Sequence, residues 1–245
     1  MTTQAVSVSA TSVLPSNPST RPLKVAAEHS IFNRMAITII GATAAIALSL
    51  HVDIAAVFQF DRSAVAAGEV WRLATGHLTH WTLDHFLWDF VAFIALGAYC
   101  EANHRRLFVA TLVVSAIAIS GGIWIMRSDV QLYRGLSGID SALYVLAAAI
   151  YGAESRRDHD RCGMLAAAAA VAGFLLKIGY ELASGATLFV DSAAAGFEPL
   201  PLAHLLGAAG AVTTLVLQPL FTRRCLSRAE TVRAVEELAP IGQAR

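Results

Sequence analysis

Residues 107–126 read LFVATLVVSAIAISGGIWIM, a run without a single charge, bracketed by Arg105-Arg106 and Arg127. As a helix, such a run extends about 30 Å, the thickness of a bilayer's hydrocarbon core. Further apolar blocks lie to either side, at about 35–50, 85–100, 138–152, 163–182 and 203–221. Each is roughly 15–20 residues long, and the shorter ones must borrow flanking residues to span a membrane. Six such blocks leave too little polar surface to cover a core in water. The sequence therefore predicts an all-α, polytopic membrane protein built as a bundle of six transmembrane helices.

Composition points the same way. Apolar residues make up 56% of the 245 and charged residues only 15%, against about 25% charged in ordinary soluble domains. The 18 basic and 18 acidic residues cancel, so no net field steers an anionic partner, and neither a nucleic-acid binder nor a disordered chain fits. Thirteen of the basic residues, among them Arg105, Arg106, Arg156, Arg157, Arg223 and Arg224, fall on segments that share one side if the helices alternate. Only Arg62, Arg72, Arg127 and Arg134 fall on the other side, and Lys177 lies within the fifth block. The positive-inside bias then places both termini in the cytoplasm.

The expected organisation is a flexible cytoplasmic tail over 1–34, a six-span core over 35–221 and a cytoplasmic tail over 222–245. The first of these is rich in Ser, Thr and Pro and has no apolar run, unlike a signal peptide. The second tail is polar and holds a short amphipathic stretch around 229–238. The long outer segment at about 51–84, with Trp71 and Trp81, packs at the membrane interface. The connection at 183–202 reads as an outer lid or a plain linker. Cys100, Cys162 and Cys225 fall at cytoplasmic helix ends, a reducing setting that disfavours a structural disulfide.

On this topology the second, fourth and sixth helices all run inward from the outer side, starting near His85, Ser137 and His204. Three reactive groups from distant parts of the chain thus share one depth. A serine nucleophile needs a base for its proton, and histidine suits that role near neutral pH. Ser137 stands in Gly135-Leu136-Ser137-Gly138, where glycine permits close backbone approach and a helix N-terminus offers free N–H groups to a developing oxyanion. A Gly-rich turn with a serine cap would read the same, and the longer G-x-S-x-G elbow is absent because residue 139 is Ile. His204 stands in Pro201-Leu202-Ala203-His204-Leu205-Leu206-Gly207. An ionisable group inside a span is a functional candidate, although a histidine reaching to the interface would look alike. Gly207 and Gly210 allow this helix to pack closely on another, such as the one bearing Ser137.

In this order the motifs resemble those of the rhomboid intramembrane serine proteases, over about residues 35–221. Glu69-Val70-Trp71-Arg72 is similar to the family's E-x-W-R in the first outer loop. His80-x4-His85-x3-Asp89 is similar to its H-x4-H-x3-N, and Gly97-x3-Glu101 closes the second helix in the family's manner. Gly135-Leu136-Ser137-Gly138 resembles the nucleophile motif and Ala203-His204-x2-Gly207 the base motif. The resemblance implies a Ser-His dyad that hydrolyses peptide bonds in or beside a substrate's transmembrane helix. Ser137 would be the nucleophile and His204 the general base. The Ser137 amide and His85 would face the oxyanion, with Asp89 and His80 in the same oxyanion and substrate-binding pattern. Glu69, Arg72, Gly135, Gly138 and Gly207 would be structural supports.

The compact six-span length, and especially the string Tyr133-Arg134-Gly135-Leu136-Ser137-Gly138, looks closer to the rhombosortase branch, a resemblance that implies substrates bearing a C-terminal Gly-Gly anchor tail. The implied partners are transmembrane or C-terminally anchored proteins and the lipid bilayer, with no nucleic acid, metal or cofactor. The implied location is a bacterial inner membrane with the active site facing the periplasm. The sequence carries no signal for oligomeric state.

Three positions depart from the family pattern. Asp89 stands in place of Asn, and an ionised carboxylate cannot donate to an oxyanion, whereas a protonated one can; alternatively it orients His85, one helical turn earlier. Ser141, preceded by Asp140, occupies the place of an aromatic or His, and Ala211 that of a second Gly. Lys177 and Glu181, spaced i,i+4, read as an ion pair near the outer surface or as a latch on the fifth helix. Two alternatives remain at this stage. One is a rhomboid-like pseudoprotease that binds transmembrane clients, which Asp89 keeps open. The other is a transporter using His77, His80, His85 and Asp89 for an ion or metal, which leaves Ser137 and His204 unexplained and lacks an inverted repeat.

Overall fold

The computed structural model describes residues 33–188, 190 and 198–218. The expectations for most of both tails and for part of the connection at 183–202 lie outside these residues. The chain divides into Met1–Asn33 and Arg34–Arg245, and the architecture that follows belongs to the second unit. In chain order its elements are α1 (Ala36–Ser49), α2 (Val52–Phe58), β1 (Phe60–Asp61), α3 (Arg62–Ala66), α4 (Arg72–Thr75), a 3-10 turn (Gly76–Leu78), α5 (Leu83–Met126), β2 (Leu132–Tyr133), α6 (Ser137–Arg157) and α7 (Arg161–Ser184). The final described helix, α8, covers Pro201–Gln218.

The protein is an all-α membrane protein, and the described part of every apolar block is helical. Helix α5 holds two of the blocks. Its 44 residues would extend about 66 Å as one rod, twice the ~30 Å of a bilayer core. The helix breaks at His104, where φ is −143° and ψ is 62°, within the polar run Asn103-His104-Arg105-Arg106. Its two halves then double back to one place. A Cβ on Gly135 would lie 3.0 Å from the His85 ring, in the first half, and a Cβ on Gly138 would lie 2.8 Å from Ile119, in the second.

By length and apolarity α5, with its two apolar halves, α7 and α8 can cross a membrane, and α1 with α2, bent by 116°, can act together as one further crossing. Helix α6 falls short of that measure because it carries Asp140, Ser141 and the polar end Glu154–Arg157. It is instead the interior helix, packed on α5 and α7 with nine of its residues buried. Large apolar side chains such as Ile40, Ile117, Ile125, Leu165, Leu176 and Val216 point outward and are exposed, the surface a bilayer requires.

The N-terminus of α1 has no side-chain cap of its own. Glu101, from the first half of α5, supplies one. Its carboxylate accepts from the Ile37 amide at 3.0 Å, the Thr38 amide at 2.8 Å and the Thr38 hydroxyl at 2.9 Å. A helix N-terminus leaves donors unpaired and carries partial positive charge, so a buried carboxylate is stable there. One turn earlier, a Cβ on Gly97 would come within 3.0 Å of the Thr38 side chain. The Gly97-x3-Glu101 spacing is thus a docking device: the glycine admits α1 and the carboxylate ties its first turn.

The outer segment between α1 and α5 is folded onto the helix ends. Arg62 caps the second half of α5 by donating to the carbonyls of Ile123, Arg127 and Val130 at 2.8–3.1 Å. Arg72 donates to Glu69 at 2.7 Å and to the Ala56 and Gln59 carbonyls at 3.1 Å, closing the end of α2. His77 donates from Nε2 to the Ser120 hydroxyl at 3.0 Å, because that hydroxyl itself donates to the Leu73 carbonyl at 2.6 Å. Strands β1 and β2 pair antiparallel, Phe60 with Tyr133 and Asp61 with Leu132. The outer segment is thereby bonded to the loop that leads into α6.

Two predictions follow from these contacts. Glu101→Ala strips the acceptor from three buried donors and should cost at least ~2 kcal/mol in unfolding from detergent micelles, with Glu101→Gln intermediate; unchanged stability in Glu101→Ala would show that water replaces the cap. Burial pulls the His77 pKa down to about 4. The unfolded chain takes up that proton near pH 6.5, so stability is lost as pH falls from about 6.5 towards 4. The thermal midpoint of His77→Asn should fall less steeply over that range than that of the unmodified protein.

Candidate active site

The approach to Ser137 is fixed from outside. Gly135 has φ of +132°, a left-handed value that glycine alone adopts without strain, and the His85 ring occupies the space a side chain would need. The Gly135 amide donates to the Gly76 carbonyl at 3.3 Å. Arg134 donates to the Gln59 side chain at 2.7 Å and the His80 carbonyl at 3.2 Å, and lies over the Trp81 ring at 4.5 Å. The Tyr133 hydroxyl donates to the Gly135 carbonyl at 3.1 Å. Leu136 is fully buried. After it, Ser137 opens α6 with its side chain half-buried. First-turn amides have no acceptor inside the helix, so those of α6 are available to a ligand. At the next turn the Ser141 hydroxyl donates to the Ser137 carbonyl at 2.8 Å.

Two imidazoles and a carboxylate stand beside this turn. One Asp89 oxygen lies 3.3 Å from His85 Nε2 and 3.2 Å from His80 Nε2. The other ring nitrogen of His80 lies 3.0 Å from the Ser49 hydroxyl, and the Leu136 amide is 3.4 Å from His80 Nε2. Burial holds the His80 pKa below its ordinary value, outweighing the pull of the adjoining carboxylate. His77 is turned away onto Ser120, so the four residues of the transporter alternative do not converge. Among the described residues no group of three or more His, Cys, Asp or Glu is arranged to hold a metal ion.

Helix α8 meets α6 backbone to backbone. A Cβ on Gly138 would lie 3.0 Å from the Ala203 carbonyl oxygen, and one on Gly207 would run into the Gly138 carbonyl. These glycines flank Ser137 and His204, and their contact sets both side chains on one cavity. Gly210 meets Ser115 of α5 in the same manner, and the Ser115 hydroxyl donates to the Gly207 carbonyl at 3.1 Å. Ala211 is fully buried, so a small residue is what that position needs.

The cavity measures about 690 Å³, within the range of ligand sites, and its wall includes Ser137, His204, His85, Asp89, Asp140 and Glu181. No hydrogen bond joins the Ser137 hydroxyl to His204 among the described residues. His204 Nδ1 is instead 2.8 Å from Glu181 Oε2 and 3.3 Å from Lys177 Nζ. Lys177 donates to the other Glu181 oxygen at 2.7 Å. Asp140 faces the cavity with neither carboxylate oxygen bonded among the described residues, and nothing in the structure accounts for it.

Glu69 and Arg72 stand apart from the cavity and serve the outer segment. The sequence showed Lys177 and Glu181 only as a pair with each other, and the bond from Glu181 to His204 was missed. Its signal was present: a carboxylate on an apolar helix, at the outer depth already assigned to His204, needs a partner. Arg134 was legible only as a letter in a string, and its tie to Gln59, 75 positions earlier in the chain, had no local sign.

Comparison with known families is consistent with this geometry. The sequence model of the Rhomboid domain matches residues 67–220, which takes in the outer segment from just before Glu69, the helices bearing His85 and Ser137, and His204. No curated protein matches the chain. With well over half of its length matched, from the first outer loop through the last described helix, the chain belongs to the rhomboid family of intramembrane proteases.

Proposed function

We propose that this protein is a serine endopeptidase that cleaves membrane-embedded or membrane-anchored proteins, with Ser137 as nucleophile and His204 as general base. The observation that carries the reading is the glycine-to-backbone contact between α6 and α8, which brings a hydroxyl and an imidazole to the wall of one cavity. A peptide carbonyl entering that cavity meets Ser137 Oγ, whose proton passes to His204 Nε2 as the oxygen adds to the carbonyl carbon. The developing oxyanion is met by the Ser137 amide and by the His85 Nε2–H, which turns from Asp89 towards it as substrate enters. Asp89 acts on the two imidazoles as an acceptor, holding His85 and His80 in place. This is a role that a carboxylate can fill where it could not donate to the oxyanion itself. Gly135, Gly138 and Gly207 serve by having no side chain.

The basic-residue bias supports cytoplasmic termini and a cavity opening towards the periplasm of a bacterial inner membrane. The Tyr133–Gly138 string supports the rhombosortase branch, whose substrates would carry a C-terminal Gly-Gly anchor tail. A second reading, capture of transmembrane clients without cleavage, is favoured by Asp89 and by the missing Ser137–His204 hydrogen bond.

A fluorophosphonate probe separates the two. Detergent-solubilised protein should label, and Ser137→Ala or His204→Ala should lower the labelling rate by ~10³-fold or more. Absence of labelling in the unmodified protein, with a transmembrane client still captured, would establish the second reading. Asp89→Asn keeps an acceptor oxygen for both imidazoles and adds a donor, so its cleavage rate should stay within about threefold of the unmodified protein or exceed it. A collapse of cleavage in that variant would show that the negative charge of Asp89 is itself required.

A further inference from the structure

The Ser-His reading leaves one buried carboxylate on the cavity wall unused. Glu181 is only 1% exposed. A carboxylate on a membrane-crossing helix is stable only if its oxygens are bonded within the protein, and both are: Oε1 to Lys177 at 2.7 Å and Oε2 to His204 Nδ1 at 2.8 Å. An ammonium can only donate, so Lys177 cannot receive a proton shared with Nδ1, and among the described residues Glu181 is the acceptor that Nδ1–H has. That bond fixes the imidazole as the Nδ1–H tautomer and leaves the Nε2 lone pair open to the cavity.

We propose that Glu181 is a positioning residue for His204, so that Ser137, His204 and Glu181 act as a three-member relay, with Lys177 anchoring the far oxygen of the carboxylate. The inference rests on the Ser-His reading. When Ser137 Oγ attacks, its proton moves to Nε2 while the proton on Nδ1 stays in place, directed at Glu181. The carbonyl electron pair moves to oxygen. On collapse the C–N bond breaks, the amine leaves with the Nε2 proton, and the acyl group remains on Ser137 for water to remove. Throughout, Glu181 keeps its negative charge and stabilises the imidazolium without taking a proton. Lys177, 3.3 Å from Nδ1, opposes a positive ring and so disfavours a resting imidazolium. The place of the acid in the chain is unlike the nucleophile's and base's: it comes from α7, a third helix.

The test pairs a spectroscopic and a kinetic readout on the full chain in detergent micelles. Nitrogen-15 NMR of labelled histidine, with His204 assigned from its substitution, should give the Nδ1–H tautomer in the unmodified protein. In Glu181→Gln that tautomer should be lost or mixed. The fluorophosphonate labelling rate should then fall about 10²- to 10⁴-fold, with kcat of substrate cleavage reduced and KM little changed. Glu181→Asp should recover part of both. An Nε2–H tautomer in the unmodified protein would overturn the proposal without any variant, as would a Glu181→Gln protein that keeps the tautomer, whether or not its labelling falls. If the unmodified protein shows the Nδ1–H tautomer, lost in Glu181→Gln, yet never labels, the hold of Glu181 on His204 stands and the Ser-His chemistry fails.

Discussion

Glu101, Arg134 and Glu181 are all buried, and none could be there alone. In a buried position little water reaches a charged group to complete its hydrogen bonds, so each must be met by the protein itself. That constraint shapes the whole interior. Glu101 is met by the free donors that begin α1. Arg134 is met by a side-chain amide, a carbonyl and an aromatic face. Glu181 is met by an ammonium and an imidazole. Each pairing joins pieces of chain that are far apart in sequence or on different helices, except Lys177 with Glu181. The polar contacts therefore do more than satisfy themselves, since they choose which helix ends lie together.

The helical bundle was legible because apolar blocks and the placement of arginine follow directly from the solvent a membrane provides. The block boundaries at His85, Ser137 and His204 predicted helix starts within a few residues of Leu83, Ser137 and Pro201. The resemblance also brought out the five motifs, but not what Gly97-x3-Glu101 does, because a helix cap supplied from another helix leaves no trace in local spacing. Helix α6 shows a different limit. Its apolar stretch was read as a span like the others, whereas Asp140 and Ser141 are buried within the bundle and its apolarity alone does not qualify it. The outer segment reads in sequence as packed at the membrane interface, and the structure shows it folded onto the helix ends. Its bonds to the Tyr133–Gly135 turn do not show in the sequence, since they join carbonyls and side chains about 55–75 positions apart.

The candidate site combines two kinds of fixation. From outside, Gly76, Gln59 and the β1–β2 pairing hold the turn that presents Ser137. From below, small residues bring α6 and α8 to backbone contact. The second depends on no flexible side chain, so the spacing between the Ser137 and His204 backbones is a property of the scaffold.

The seam between α7 and α8 is of another kind. Only five of the 24 residues of α7 are buried, and at the level of His204 the two helices are joined by charge. Electrostatic attraction of that sort weakens in a wet, highly polarisable medium and grows as the surroundings dry. An apolar chain lying in the cavity would displace water there, and the hold of Glu181 on the imidazole would tighten with it.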